Sequence, residues 1–285
     1  VDRKLKSSLV KVFKIGLTFV ALWVVFRKID TSETLRVLSG ISSVHLFAAL
    51  VLFNVSKIIS SFRLERFYHL AGLTLGRIEN LRLYYVGMYY NLFLPGGIGG
   101  DGYKVYLLNK KYKTPVKELI KASLLDRLSG LIALLFLGIL FAFFPDNQGF
   151  FNTYSLSFLP WIGAILLYPL WYLANRFFFK NYLSGIVYTD VQSLGVQLFQ
   201  IVCAIALLYG LGVEVSLPSY LFLFLVSSVV AVLPITIGGV GARELVFVLG
   251  YEFLPIEQNQ AVAFSLLFFL VTAFSSLIGA LIRVD

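Results

Sequence analysis

The sequence predicts an all-α polytopic membrane protein made of two inverted repeats, each with three spans and one re-entrant helical hairpin broken by Pro and Gly. Three observations carry that prediction. Of 285 residues, 59% are hydrophobic and 14% are charged, and the mean hydropathy is +0.85, whereas a soluble domain is about half apolar and about a quarter charged. Apolar runs recur along the whole chain. Two of them end in the same Pro/Gly motif, offset by nearly half the sequence.

The apolar runs fall at Leu9 to Phe26, Val44 to Ile59, Leu81 to Leu94, Leu119 to Phe144, Phe158 to Leu173, Leu194 to Val213, Pro218 to Pro234, Gly241 to Leu249 and Ala261 to Ile282. A helix needs about 20 residues to cross the hydrocarbon, with about 17 as a lower limit. The runs near Leu119, Leu194 and Ala261 meet that easily, and those near Leu9, Val44 and Phe158 span once their polar flanks are counted. The basic start before Leu9 is followed by no small-residue cleavage pattern, so the first run reads as a helix and not as a removed signal. The expectation is a single transmembrane domain over 1–285, with one pseudo-repeat at about 9–144 and another at about 158–282.

The two remaining runs resemble each other. The first ends Leu94-Pro95-Gly96-Gly97-Ile98-Gly99-Gly100-Asp101-Gly102-Tyr103-Lys104, the second Leu233-Pro234-Ile235-Thr236-Ile237-Gly238-Gly239-Val240-Gly241-Ala242-Arg243-Glu244. Both read Leu-Pro-x-x-Ile-Gly-Gly-x-Gly-x-(Lys/Arg), which points to an internal duplication. Pro and clustered Gly break a helix and free backbone N–H and C=O groups, tolerated in a bilayer only where protein or a water-filled cavity surrounds them. A re-entrant hairpin satisfies this: about 79–94 enters and 102–110 returns, then 218–233 and 241–249 repeat the pattern. The alternative is a helix end at the interface, with the glycines in a loop.

Charge bias sets orientation. Arg63, Arg66, Arg77 and Arg82 precede the first hairpin, and Lys104, Lys110, Lys111, Lys113, Lys117 and Lys121 follow it, so both flanks read as cytoplasmic. The Asp146 to Ser157 loop has no Lys or Arg and reads as outside. Six crossings and two hairpins result, with three crossings in each half. An odd number inverts the second half against the first and places both termini in the cytoplasm, the arrangement of many secondary transporters. The net charge of +9 is then topology bias and attraction to anionic headgroups, with no nucleic-acid partner.

Ionisable residues inside apolar runs are costly and invite a functional reading. Asp126 and Arg127 lie near the start of the third crossing, about 100° apart on a helix, so each meets a partner on another element. A tie to a hairpin, a phosphate contact and a proton route all stay open. Lys104 and Arg243 hold equivalent places after the two breaks, where helix N-termini favour an anion; for each, snorkelling to the interface is the alternative. Asp101 and Glu244 flank them as counter-charges or proton carriers. Lys57, late in the second crossing, reads as snorkelling. Gly96, Gly97, Gly99, Gly100, Gly238, Gly239 and Gly241 are the expected hinges or anion nests, and Pro95 and Pro234 mark where the incoming helices stop. Tyr84-Tyr85, Tyr89-Tyr90, Trp161 and Trp171-Tyr172 suit a bilayer interface. Cys203 is the lone cysteine, and His45 and His69 are too few for a multi-His metal cage. No catalytic residue, metal or cofactor is assigned.

At Asn91-Leu92-Phe93-Leu94-Pro95-Gly96-Gly97-Ile98-Gly99-Gly100-Asp101, Asp126-Arg127-Leu128-Ser129-Gly130 and Gly238-Gly239-Val240-Gly241-Ala242-Arg243-Glu244 the chain resembles the lysylphosphatidylglycerol synthase transmembrane-region family, a group of flippase-like membrane proteins. It is similar to the N-terminal lipid-flipping half of the bifunctional bacterial enzymes of that group. The resemblance implies an inner-membrane protein that moves a phospholipid or a polyprenyl-phosphate-linked lipid between leaflets, with Asp126, Arg127, Arg243 and Glu244 as its polar positions. The aminoacyltransferase of those enzymes is a soluble domain after the membrane region; the sequence ends at Asp285, so lysyl transfer is not expected. The expected partner is an anionic membrane lipid or polyprenyl phosphate lipid, with a homodimer also compatible. The competing readings are a membrane-embedded enzyme modifying lipid headgroups and a scaffold for lipid synthesis.

Overall fold

The structure is a computed structural model that describes residues 23, 31–93, 98–232 and 241–283. Its first helices are α1 (Thr31–Ser39), α2 (Ser43–Leu70), α3 (Arg77–Phe93), α4 (Gly99–Tyr112) and α5 (Val116–Ala142). Then follow α6 (Gln148–Thr153), α7 (Leu159–Phe178), α8 (Ile186–Gly210), α9 (Leu217–Val232), α10 (Ala242–Gly250) and α11 (Gln258–Leu281). Among the described residues there is no strand.

Four helical segments are long and apolar enough to cross a membrane: Ser43–Leu70, Val116–Ala142, Lys180–Gly210 and Gln258–Leu281. The shortest has 24 residues, about 36 Å at 1.5 Å per residue, against roughly 30 Å of hydrocarbon. With 20 residues and a proline at 169 inside it, α7 turns Trp161, Ile165 and Leu170 outward. Such large apolar side chains on the surface suit lipid and not water. The chain is a multi-pass membrane protein. The expected span Leu9 to Phe26 lies outside the described residues apart from Trp23, which is helical.

Several elements exceed the apolar runs that announce them. α2 continues to Leu70, eleven residues past Ile59, because its serines satisfy themselves on the helix: Ser56 Oγ donates to the Phe53 carbonyl (2.6 Å) and Ser60 Oγ to that of Ser56 (2.9 Å). Arg63 and Arg66 therefore belong to the helix and not to a flanking loop. The expected loop Asp146 to Ser157 contains a 3-10 turn at Pro145–Asn147 and helix α6.

The helices that flank each Pro/Gly motif fold back on each other. Tyr112, at the end of α4, donates to the Glu79 carboxylate in the first turn of α3 (2.7 Å), and Lys111 pairs with Glu79 at 3.2 Å. The outer ends of the two arms thus lie together. Nearer the tip, a Cβ at Gly100 would collide with the Gly87 carbonyl, and the Gly100 amide donates to Asn91 Oδ1 at 2.8 Å. The second pair is α9 with α10, where Leu223 fills the space beside Gly250. Having nine residues, α10 is about 14 Å long and too short to cross. Pro95, Gly96, Gly97, Pro234, Gly238 and Gly239 lie outside the described residues. Gly99 and Gly100 open α4, and Gly241 precedes α10 with φ +80°, a left-handed conformation that favours glycine.

Packing between the halves is reciprocal. α2 lies along α8 in the most extensive helix pairing, α3 packs on α11, and α9 packs on α5. Each incoming arm therefore rests on the last long helix of the other half. The α3/α11 approach needs Gly279, whose added Cβ would strike the Tyr85 carbonyl.

Two apolar cores result. One joins Phe53, Leu134, Leu207, Phe224, Phe264 and Phe268; the other joins Leu64, Phe67, Leu83, Leu119, Leu125 and Ile186. On α2 the cores are separated by the stretch with Lys57, Ser60 and Arg63, and on α5 by the stretch with Asp126, Arg127 and Gly130. A polar layer crosses the protein between them.

An added methyl at Gly100 meets backbone that cannot swing aside. Gly100→Ala is expected to destabilise the purified protein by about 2 kcal/mol or more and lower its Tm. Gly102→Ala, with nothing within 4 Å, should stay within about 0.5 kcal/mol. Equal melting of the two variants would mean the arms do not touch.

Candidate anion-binding cavity

The polar layer lines an open cavity of about 330 Å³. Its charged lining is Lys57 and Arg63 from α2, Asp101 and Lys104 from α4, Asp126 and Arg127 from α5, and Arg243 from α10. Ser60, Gln197, Gln200 and Ser228 add neutral polar groups. Both halves of the chain contribute.

Asp126 and Arg127, adjacent in sequence, reach different helices. Asp126 accepts from Arg63 Nε at 2.8 Å, and Arg63 Nη1 donates to Ser193 Oγ at 2.9 Å. One guanidinium thereby joins α2, α5 and α8. Room for it comes from Gly130, where an added Cβ would lie 3.3 Å from Arg63 Nη1. Arg127 Nε instead donates to Asp101 on α4, and Asp101 also pairs with Lys104 at 2.8 Å. Lys104 runs past Gly87, whose added Cβ would sit 3.0 Å from the lysine Cδ, and its Nζ lies 5.5 Å from the centre of the Tyr84 ring. Lys104 is 4% exposed, a depth at which snorkelling does not describe it.

Lys57 and Arg243 differ from the other three cations. Among the described residues, no carboxylate lies within 4.0 Å of either. Lys57 Nζ sits 4.4 Å from the Phe53 ring centre and the Arg243 guanidinium 5.0 Å from that of Phe268. Rings supply weak cation–π attraction, well short of a full counter-charge.

Glu244 is placed elsewhere. Its carboxylate accepts from the Gly241 amide (2.7 Å) and from Ser265 Oγ (3.0 Å), outside the cavity lining. It secures the first turn of α10 and positions Arg243 beside it. Among the expected site residues, the structure brings Asp101, Lys104, Asp126, Arg127 and Arg243 to one space. Gly99 and Gly100 form the α4 start, and Gly241 the α10 start.

Lys57, Arg63, Gln197 and Ser228 were not among the expected residues. For Arg63, its place beside Arg66 and Arg77 reads as cytoplasmic flank, while its true context is a helix continuing through serines. The usable signal is polar residues at three- and four-residue spacing within apolar helices: Ser56, Ser60 and Arg63 on α2, and Ser193, Gln197 and Gln200 on α8. Among the described residues, no three His, Cys, Asp or Glu side chains converge as metal ligands.

Over residues 11–279 the sequence matches the family described as Lysylphosphatidylglycerol synthase TM region. No curated protein matches the chain.

Removing Asp126 leaves Arg63 buried without its counter-charge. Asp126→Asn is expected to cost about 3–5 kcal/mol, while the pair Arg63→Met with Asp126→Leu should recover most of that. Denaturant or thermal melts of the purified variants decide it; a single variant as stable as the parent would mean the pair carries no structural tie.

Proposed function

We propose, from the fact that this chain belongs to the lysylphosphatidylglycerol synthase TM-region family, that it is a lipid translocase of the inner membrane. In this reading a phospholipid or polyprenyl-phosphate-linked lipid passes between leaflets with its phosphate held in the cavity and its acyl or prenyl chains in hydrocarbon. The observation that carries it is the single cavity into which Lys57, Arg63, Lys104, Arg127 and Arg243 converge from both halves of the chain. A cationic cavity between two apolar layers stabilises an anionic headgroup at the depth where hydrocarbon alone opposes its passage.

The transport mechanism follows from how the halves meet. Sites at the interface of inverted repeats, built on broken helices, open to alternate sides when one half rocks against the other. The repeated motif, the two folded-back helix pairs and the reciprocal packing of α3 on α11 and α9 on α5 support that design here. The hairpins are re-entrant in this reading, the first approached from the cytoplasm and the second from the opposite side. Arg243 binds phosphate by its forked donors. Asp101 holds Arg127 and Lys104 on the cavity wall.

Reconstituted in liposomes, the protein is expected to move a headgroup-labelled anionic lipid between leaflets, followed by protection of the label from a membrane-impermeant quencher. Arg243→Ala should slow transfer by about tenfold or more, the equivalent of one lost charge-assisted hydrogen bond, with folding retained. Undiminished transfer by that variant would remove the anion role. Orientation is tested separately in a Cys203→Ser background. Cysteines at Ile78 and Lys110 should label from the cytoplasm alone, and cysteines at Val215 and Glu252 from the other side alone. Labelling of either pair from opposite sides would make that segment a full crossing.

A further inference from the structure

The charges of the cavity do not balance. Among the described residues that line it, five cations face two carboxylates, Asp101 and Asp126, an excess of three positive charges. Both carboxylates are engaged, Asp126 by Arg63 and Asp101 by Lys104 and Arg127. Glu244 and Asp190 stand outside the lining, held by Gly241 and Ser265 and by the Trp171 indole. Residues 94–97 and 233–240, which join the arms, include no ionisable side chain and supply no counter-charge. In surroundings of low dielectric constant such an excess is costly unless an anion meets it.

One of two buried neutral groups points the same way. Gln197 is 5% exposed and Ser228 6% exposed, and both line the cavity. Neither Gln197 Oε1 nor Ser228 Oγ has a hydrogen-bond partner among the described residues. A buried hydroxyl without a partner is rare and costly. Gln197 Nε2 donates to the Gly130 carbonyl at 3.3 Å, so the group it has left over is its amide oxygen, an acceptor. The Ser228 hydroxyl is a neutral donor that shares the lining with Lys57 and Arg243.

We infer that the cavity selects a lipid head that ends in a phosphomonoester or a diphosphate, carrying about two or more negative charges, over a phosphodiester or zwitterionic head. This deepens the translocase reading of the same cavity and rests on it. A phosphodiester brings one negative charge and leaves two positive charges unmet; a zwitterion brings no net charge. A phosphomonoester carries about −1.5 to −2 at neutral pH and has three strong acceptor oxygens. Those oxygens match one forked guanidinium at Arg243, one ammonium at Lys57 and the Ser228 hydroxyl. Met88, Leu92 and Leu134 line the same space, so the first carbons of a chain find an apolar wall beside the anion. That favours a lipid-linked phosphate over a free one.

The test compares ligands that differ at the phosphate alone. The purified full chain in detergent micelles is titrated with dioleoyl phosphatidate, with dioleoyl phosphatidylmethanol and with inorganic diphosphate, and binding is read as the rise in Tm. The monoester is expected to bind about tenfold or more tighter than the matched diester. Lys57→Gln and Arg243→Gln should erase that preference, whereas Lys57→Arg should retain it and the exposed Lys117→Gln should leave it unchanged. Equal binding of monoester and diester would overturn the inference while leaving the translocase reading standing. Inorganic diphosphate binding as tightly as phosphatidate would overturn the lipid-linked assignment. A clear monoester preference in a protein that transfers no lipid between leaflets would support this site and sink the translocase reading instead.

Discussion

Positive charge held between two apolar layers has to be met by negative charge, and the arrangement of this protein follows from how far its own side chains do so. Arg63 is met by Asp126, and that pair joins α2 to α5 while Ser193 extends it to α8. Lys104 and Arg127 share Asp101, which joins α4 to α5. Buried ion pairs are weak contributors to net stability because desolvation offsets attraction. Their effect is on register: sliding α4 or α2 along α5 by one turn would leave a charge unpaired between the apolar cores. The pairs thereby fix the walls of the cavity, and the remaining cations, Lys57 and Arg243, face into it.

Close approach of backbones is the second requirement, and glycine meets it at the places where charge demands it. Gly87 and Gly100 let α3 and α4 touch, and Gly87 also leaves a channel for the Lys104 stem. Gly130 makes room for the Arg63 guanidinium. In lipid, helices gain little from burying apolar surface against each other, so small residues that bring backbones together carry much of the association. The α3/α11 contact at Gly279 extends this between the halves.

Much of this architecture is legible in the residues. Apolar run length and composition give the membrane class and the helical fold, and the repeated Leu-Pro/Gly motif locates the two folded-back helix pairs. Asp126 and Arg127 stand out because ionisable residues are rare in apolar helices, and each does find its partner on a different element. The rest is hidden for physical reasons. Arg63 has the local surroundings of an interfacial arginine, and only the continuation of α2 through self-satisfied serines buries it. Lys57 reads as snorkelling because its distance from the interface depends on where α2 ends. Gln197 and Ser228 are ordinary polar residues until packing removes their water. Glu244 looks like a counter-charge for its neighbour Arg243, but adjacent helical side chains diverge, and its carboxylate turns to the Gly241 amide and Ser265.

The two motifs also differ in a way that gives the cavity a polarity. Lys104 and Arg243 are equivalent positions, and so are Asp101 and Val240. In the first half the cation therefore has a carboxylate three residues before it, one helical turn away, and the structure pairs them at 2.8 Å. In the second half valine replaces that carboxylate, and Arg243 lies against the Phe268 ring with no carboxylate within 4.0 Å among the described residues. A duplicated scaffold with identical charges at both ends would attract an anion to two competing places. Neutralising one end and leaving the other open would direct the proposed anion to the Arg243 side, with Lys57 from the other half of the chain completing the contact. In the proposed reading the two similar motifs frame the cavity, and the difference at one residue would decide where in it a phosphate is held.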